Sequence, residues 1–345
     1  MSYEVLGDYE REFIYKRDIL MSEYFINIRD IFSKKMEEHF SDDILPIKKN
    51  KLRVYHNMFA QWYFWECYNK SYSRYPLLIE PDYSYETIYQ VLSDYDKSES
   101  IKERTSKFIK DLDLEGLFIK SIKKLDSMGD INILVSIKRL EGIYMIIING
   151  VCDKYMIKIS ENVFNKIRRR LSMEKSVALV FRYYALSSNN NQLAVSSDIM
   201  SNIECDVELF ASGFNNYFGK FCSIFPDLEK DLGSIGRFQD MKIKSGRYEI
   251  NPPFQTTIIY DILRRVRRFI EDREGYISFD IILPNWDRGD KRYDEYLVRR
   301  LLNEIDGVVL IENKSNIEFP YYDYWKEIKR DITLPDSYYI KVINY

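Results

Sequence analysis

Histidine is almost absent from this chain: 345 residues carry two, His39 and His56, both in helical-looking stretches. That argues against a nucleophilic triad built on an imidazole base. The four cysteines, Cys67, Cys152, Cys205 and Cys222, are scattered and form no Cys-x-x-Cys pair. Their spacing suits a reducing compartment and gives no zinc-ligand pattern, so no metal is expected. Long apolar runs are missing too. The longest, Ile143–Ile148, falls far short of the ~20 residues a membrane helix needs, so no membrane association is expected. The opening Met1-Ser-Tyr-Glu-Val has no basic stretch followed by an apolar one, so an intracellular location, cytoplasmic or nuclear, is expected. There is no internal repeat and no low-complexity segment. A net charge of −3 gives the surface as a whole no pull on nucleic acid, so any RNA contact must come from local patches.

What is present describes a folded globular chain, with 46% hydrophobic and 30% charged residues. The length suggests two domains, each able to bury its own core. Tyrosine is abundant at 29 residues, but together with many Ile, Asn and Lys this fits an AT-rich coding composition better than a stacking role. Apolar spacing in the first half predicts helices over Tyr9–Phe40, Leu52–Tyr68, Ile101–Leu125, Glu161–Leu171 and Lys175–Leu186. Strands are expected at Gly142–Ile148 and Tyr155–Ile159 around the Asn149-Gly150 reversal. From about residue 172 strands and helices alternate. Strands are predicted at Val207–Ala211, Tyr248–Ile250, Tyr276–Leu283, Val308–Ile311 and Tyr338–Ile343, with helices at Asn216–Phe225, Thr256–Glu271 and Tyr293–Glu304. Such alternation implies a mainly parallel sheet whose ligands sit at the carboxyl ends of its strands.

Two of those strand ends carry chemistry. Gly246-Arg-Tyr-Glu-Ile250 runs into Asn251-Pro252-Pro253-Phe254. The amino group of an adenine or cytosine is a poor nucleophile because its lone pair is delocalised into the ring. The Asn251 side-chain oxygen and the Pro252 carbonyl can each accept an N–H from it and draw the nitrogen toward tetrahedral geometry. Two prolines stiffen the loop and add no competing donors. Phe254 offers a face for base stacking, worth roughly 1–3 kcal/mol per base. The plain alternative is a proline turn after a strand. About 40 residues earlier, Asp206–Asn215 reads as a strand, a small-residue loop and a helix start, where a nucleotide-like cofactor can approach the backbone.

The run Glu208-Leu-Phe-Ala-Ser … Asn215 … Tyr217-Phe218 … Phe221-Cys-Ser-Ile-Phe-Pro-Asp227 … Gly233-Ser … Asn251-Pro-Pro-Phe254 resembles the cap-specific adenosine N6-methyltransferases, the family of the phosphorylated-CTD-interacting factor. Phe279-Asp-Ile-Ile-Leu-Pro-Asn-Trp286 resembles that family's strand ending in Ile-Pro-Glu-Trp. The likeness is dense over roughly residues 176–290 and faint in the helical half. It implies an α/β architecture: a mainly helical domain, residues 1–172, before a Rossmann-type methyltransferase domain, residues 173–345. It also implies S-adenosylmethionine as cofactor, and N6-methylation of the first-nucleotide adenosine, usually 2′-O-methylated, beside an m7G cap on RNA. By the same resemblance Asn251, Pro252, Pro253 and Phe254 are catalytic. Phe210, Ala211, Ser212 and Asn215 hold the cofactor, with Asp227, Gly233 and Ser234 near it. Pro284 and Trp286 lie on the substrate side. The chain departs from the family pattern at Gly213, where proline is usual, and at Thr256 and Asn285, where glutamate is usual. No Trp-Trp module precedes the helical half, so docking on a phosphorylated polymerase tail is not expected, and the chain reads as a catalytic core.

Other readings stay open beside this one. The enzyme could methylate adenine in other RNA or DNA, or the fold could bind RNA or a partner without catalysis. Arg264, Arg265, Arg267 and Arg268 read as a solvated helix face, with phosphate contact as the alternative. Trp62 and Trp65 read as core, with stacking on a methylated guanine as the alternative.

Overall fold

The computed structural model describes residues 3–6, 13–40, 51–69, 75–78, 88–89, 92, 100–129, 131, 133–186, 192–253, 256–284, 309–317, 321–325, 328–330 and 337–344. The chain forms two compact units. One is Met1–Phe164 with Leu171–Asn191; the other is Asn165–Arg170 with Gln192–Tyr345. The division thus lies at 191/192 with a short exchange at 165–170, where the change of sequence rhythm pointed to 172/173.

The first unit is built on a long helix, α1 (Phe13–Phe40), which packs against α2 (Lys51–Asn69), α3 (Ile101–Leu112) and α4 (Leu114–Asp126). Aromatic side chains fill the centre. Phe25 meets Tyr63 edge-on at 4.7 Å, and Phe32 meets Phe108 perpendicularly at 5.3 Å. Trp62 is fully buried between Phe59 and Phe118, which bears out its reading as core. The single helix expected over Ile101–Leu125 is two. Asp113 breaks it in the left-handed region (φ 41°), and its carboxylate accepts the Gly116 N–H at the start of α4. Aspartate tolerates that conformation and is a strong cap, so one residue ends one helix and begins the next.

The unit also holds more sheet than the sequence suggested. An edge strand β1 (Tyr3–Leu6) joins β2 (Leu134–Leu140), β3 (Ile143–Asn149) and β4 (Lys154–Ser160) in an antiparallel sheet of order β1-β2-β3-β4. The turn between β3 and β4 is closed from a distance. The buried Glu23 carboxylate of α1 accepts the N–H groups of Val151 (3.0 Å), Cys152 (3.3 Å) and Asp153 (3.4 Å). Burial still pushes its carboxyl above the usual range. Helix α5 (Glu161–Arg168) follows, and α6 (Met173–Leu186) returns onto α1. There Arg182 and Asp18 form a buried ion pair, Nε to Oδ1 3.0 Å.

The second unit opens with β5 (Leu193–Val195), and its main sheet begins with β6 (Val207–Glu208) and β7 (Gly246–Ile250). Helix α7 (Thr256–Glu271) then crosses to β8 (Ile277–Pro284). Ile258, Ile259, Ile262, Leu263, Val266 and Ile270 of α7 are all fully buried, the 3.6-residue stripe a crossover helix needs. Strands β9 (Val309–Ile317), β10 (Tyr321–Asp323), β11 (Ile328–Arg330) and β12 (Ser337–Asn344) complete the unit. The main sheet has the order β6-β7-β8-β12-β9, and a smaller antiparallel sheet has the order β11-β10-β5.

The expectation of a mainly parallel sheet holds for half of it. Strands β6, β7 and β8 are parallel, but β12 runs antiparallel between β8 and β9. An antiparallel strand added to a parallel sheet is a common way to extend it. A mixed α/β chain is what these elements make. The helix expected at Asn216–Phe225 does not form. The Glu208 carboxylate takes the Tyr217 and Phe218 N–H groups instead, Gly219 turns the chain at φ +80°, and Phe221 enters a bridge beside β6. Tyr293–Glu304 lies outside the described residues.

Candidate functional site

The carboxyl ends of β6 and β7 lie side by side. Glu208 stands opposite Glu249, and Leu209 N donates to Glu249 O at 2.8 Å. The loop 209–215 and the segment Asn251-Pro252-Pro253 therefore leave the same end of neighbouring parallel strands. Asn251 and Pro253 are half-buried, and Pro252 is buried. Phe254, Asn285 and Trp286 lie outside the described residues. Pro284 ends β8.

The sheet continues past β6 without regular strands. Phe221 bridges Glu208 in parallel fashion and Ser234 bridges Phe221. Cys222 N bonds Glu208 O (2.8 Å), Ala211 N bonds Cys222 O (3.0 Å), and Ile235 N bonds Phe221 O (2.8 Å). These bridges set Glu208, Phe221 and Ser234 side by side, with Ala211 against Cys222. Gly233 is there for backbone reasons: its φ is +115°, and a Cβ would stand 2.0 Å from the Gly219 carbonyl oxygen. Ser234 is buried with its hydroxyl 2.8 Å from that of Ser223. Asp227 is exposed in a one-turn helix, Pro226–Glu229.

The loop after β6 is tied down by its own side chains. Asn215 Oδ1 accepts the Ser212 N–H at 2.7 Å and lies 2.9 Å from the Ser212 hydroxyl. That hydroxyl is also 2.6 Å from Gln192 Oε1. Gly213 N donates to the buried Glu229 carboxylate at 2.6 Å. A Cβ at Gly213 would meet Leu232 Cδ1 at 2.3 Å, so glycine lets this loop sit tightly on its neighbour. Phe210 is half-buried and packs against Phe238, centroids 4.8 Å apart.

Before these loops stand three acids that sequence reading did not single out. Glu208, Glu249 and Asp280 face one another across β6, β7 and β8, all buried. Burial pushes the Glu208 carboxyl up to about 7, against the pull of the Phe218 and Tyr217 amides and of Lys166. Burial first, then Glu208 and Asp280, hold Glu249 well above the usual carboxylate range. The signal was present in the sequence: each strand carries one acid among apolar neighbours, in Val-Glu-Leu, Tyr-Glu-Ile and Phe-Asp-Ile.

Arg267 of α7 pairs with Glu271 along the helix (2.8 Å), while Arg265 pairs with Asp261 (3.1 Å) and its Nη1 donates off the helix to Gln239 O at 3.1 Å. Arg170 Nη1 donates to Leu232 O at 3.2 Å. Among the described residues no helix is long and apolar enough to cross a membrane, and no group of three or more His, Cys, Asp or Glu is arranged to hold a metal ion.

Residues 153–300, which contain these loops and the Asn-Pro-Pro-Phe segment, match the family described as the Phosphorylated CTD interacting factor 1 WW domain. The chain is also 37% identical over 79 residues to a human protein named mRNA (2′-O-methyladenosine-N(6)-)-methyltransferase, and 35% identical over 79 residues to a mouse protein of the same name. Each match covers 23% of this chain and 11% of the length of the relative. The family likeness thus falls on the half of the chain that carries the candidate site.

Proposed function

We propose that this chain is an S-adenosylmethionine-dependent RNA methyltransferase that acts on N6 of the adenosine next to the mRNA cap. One observation carries the reading. Asn251-Pro252-Pro253 leaves the carboxyl end of a parallel strand directly beside a tightly tied small-residue loop, within the family-matched segment. Parallel α/β sheets bind ligands at such strand ends. The arrangement supports a Rossmann-type methyltransferase half preceded by a more helical half.

A cationic methyl donor suits the residues present. Glu249 Oε1 is buried and has no hydrogen-bond partner among the described residues, and it lies in a row of three acids at the base of the two loops. Phe210, Ala211, Ser212 and Asn215 would hold the donor's nucleoside end, with Gly233 and Ser234 near it. When bound, that cofactor supplies a methyl group on a sulfonium. The Asn251 side-chain oxygen and Pro252 carbonyl accept the two N–H bonds of the adenine amine and aim its lone pair. Phe254 fixes the base plane by stacking. Alignment of this kind contributes up to ~7–11 kcal/mol of barrier reduction. The amine proton leaves to water after transfer, and Pro284 and Trp286 border the substrate.

The test is methyl transfer to A-starting RNA with an m7G cap, the same RNA uncapped, and duplex DNA, with mass analysis of the first nucleotide. Methylation confined to capped RNA supports the proposal. Equal transfer to uncapped RNA or DNA replaces it with a broader adenine methyltransferase. No transfer and no donor binding would make the chain a binding protein.

A further inference from the structure

The row Glu208–Glu249–Asp280 is more acid than the fold needs. Three buried carboxyls stand in register on adjacent parallel strands, and the next strand offers one cation, Lys341, 3.8 Å from Asp280. Lys166 of α5 faces Glu208, and the Cys205 thiol lies by Glu249 and Glu208. Glu208 Oε1 is used by two backbone amides, but Glu249 Oε1 is used by none of the described residues. An ionised carboxyl so placed is expensive, and a protonated one still leaves Oε1 without a partner among the described residues. Lys341 and Lys166 answer the two ends of the row, and the central Glu249 Oε1 is left for a further positive charge. The row lies one residue before the loop 209–215 and two before Asn251, at the end of the sheet where the proposed donor binds.

We propose that this acidic row is the counter-charge for the methyl donor's sulfonium, and that donor binding expels a proton from the row to solvent. The inference rests on the methyltransferase reading and names a regulation of that same site. In the free protein burial first, and for Glu249 then the neighbouring Glu208 and Asp280, favours the protonated carboxyls of Glu208 and Glu249. A cation placed beside it favours ionisation, so a carboxyl O–H bond breaks, the proton passes to buffer, and the carboxylate remains opposite the sulfonium. Donor affinity then rises with pH. A ligand of the same shape without the sulfonium charge gains nothing from the ionised row.

The experiment is calorimetric titration of the full chain with S-adenosylmethionine and with S-adenosylhomocysteine, which keeps the nucleoside and amino acid but has a neutral sulfur. Each is run from about pH 6 to about pH 8, in two buffers of different ionisation enthalpy, so that proton release is counted directly. The expected result is a steeper rise in affinity for the charged donor, up to about tenfold per pH unit at full linkage, with matching proton release. Glu249→Gln and Glu208→Gln should each reduce that extra slope; the second substitution keeps an oxygen for both amides. Parallel pH profiles for the two ligands in the wild-type protein overturn the inference while leaving the methyltransferase reading intact. An extra slope that survives in both variants also overturns it. If neither ligand binds the wild type, the methyltransferase reading fails and the inference fails with it.

Discussion

Replacing Glu208 by glutamine should change how the protein's stability depends on pH, and the size of the change follows from the site. Glu208 is buried, and its carboxyl rises from the ordinary 4.5 to about 7. A group whose folded value lies above its unfolded value binds its proton more tightly in the native state. Its stabilising contribution is therefore complete below about pH 4.5 and is lost as pH climbs through about 7. The rise corresponds to about 3 kcal/mol. Glutamine removes the titration yet keeps an Oε1 acceptor for the Tyr217 and Phe218 amides, which both bond that atom. Urea unfolding of both proteins should give similar free energies near pH 4.5. By pH 8 the Glu208→Gln variant should be the more stable by up to about 3 kcal/mol. A difference that stays constant with pH would mean that Glu208 titrates normally and that the row is not a store of protons.

Asn251→Ala should unfold like the wild type and bind donor, but transfer no methyl in a tritium-transfer assay; normal turnover would refute its role in holding the amine. Phe254→Ala should lower turnover and weaken RNA binding by roughly 1–3 kcal/mol, read from steady-state kinetics and a binding titration. Gly233→Ala should cost at least about 2 kcal/mol in urea unfolding, since it combines a positive φ with a Cβ 2.0 Å from a backbone oxygen. Arg182→Leu should cost about 3–5 kcal/mol by the same measurement, because it takes the guanidinium away from the buried Asp18 carboxylate.

The sequence was most legible where a local pattern had one solution. Thr256–Glu271 is the helix that its apolar stripe dictates, and the strands around Tyr248, Phe279 and Val342 stand where apolar runs placed them. Reading failed where a distant side chain overrides local preference. Asn216–Phe225 has helical spacing, but Glu208 captures two of its amides and Asn215 and Asn216 bond back to Ser212. Such side-chain competition with the backbone cannot be seen in spacing alone. Direction was equally hidden: apolar strands near the C-terminus read the same whether parallel or antiparallel, and β12 is antiparallel. Within the candidate site, Asn251 and its prolines were visible as a motif. The acidic row became visible only when register placed three isolated acids opposite one another.

The β3–β4 turn carries a consequence for anyone who would take this protein apart. Its three amides are answered by Glu23, which lies 128 positions before Val151 in the chain. A Cβ at Gly150 would fall on that carboxylate, 1.7 Å from Oε1, so the tip is shaped to its partner as closely as a lid to a jar. A hairpin excised as residues 142–160 would leave those three donors to water and keep only the turn's own bond from Gly150 N to Asp153 O. The piece that sequence spacing marks as the simplest module has a tip that a distant helix finishes.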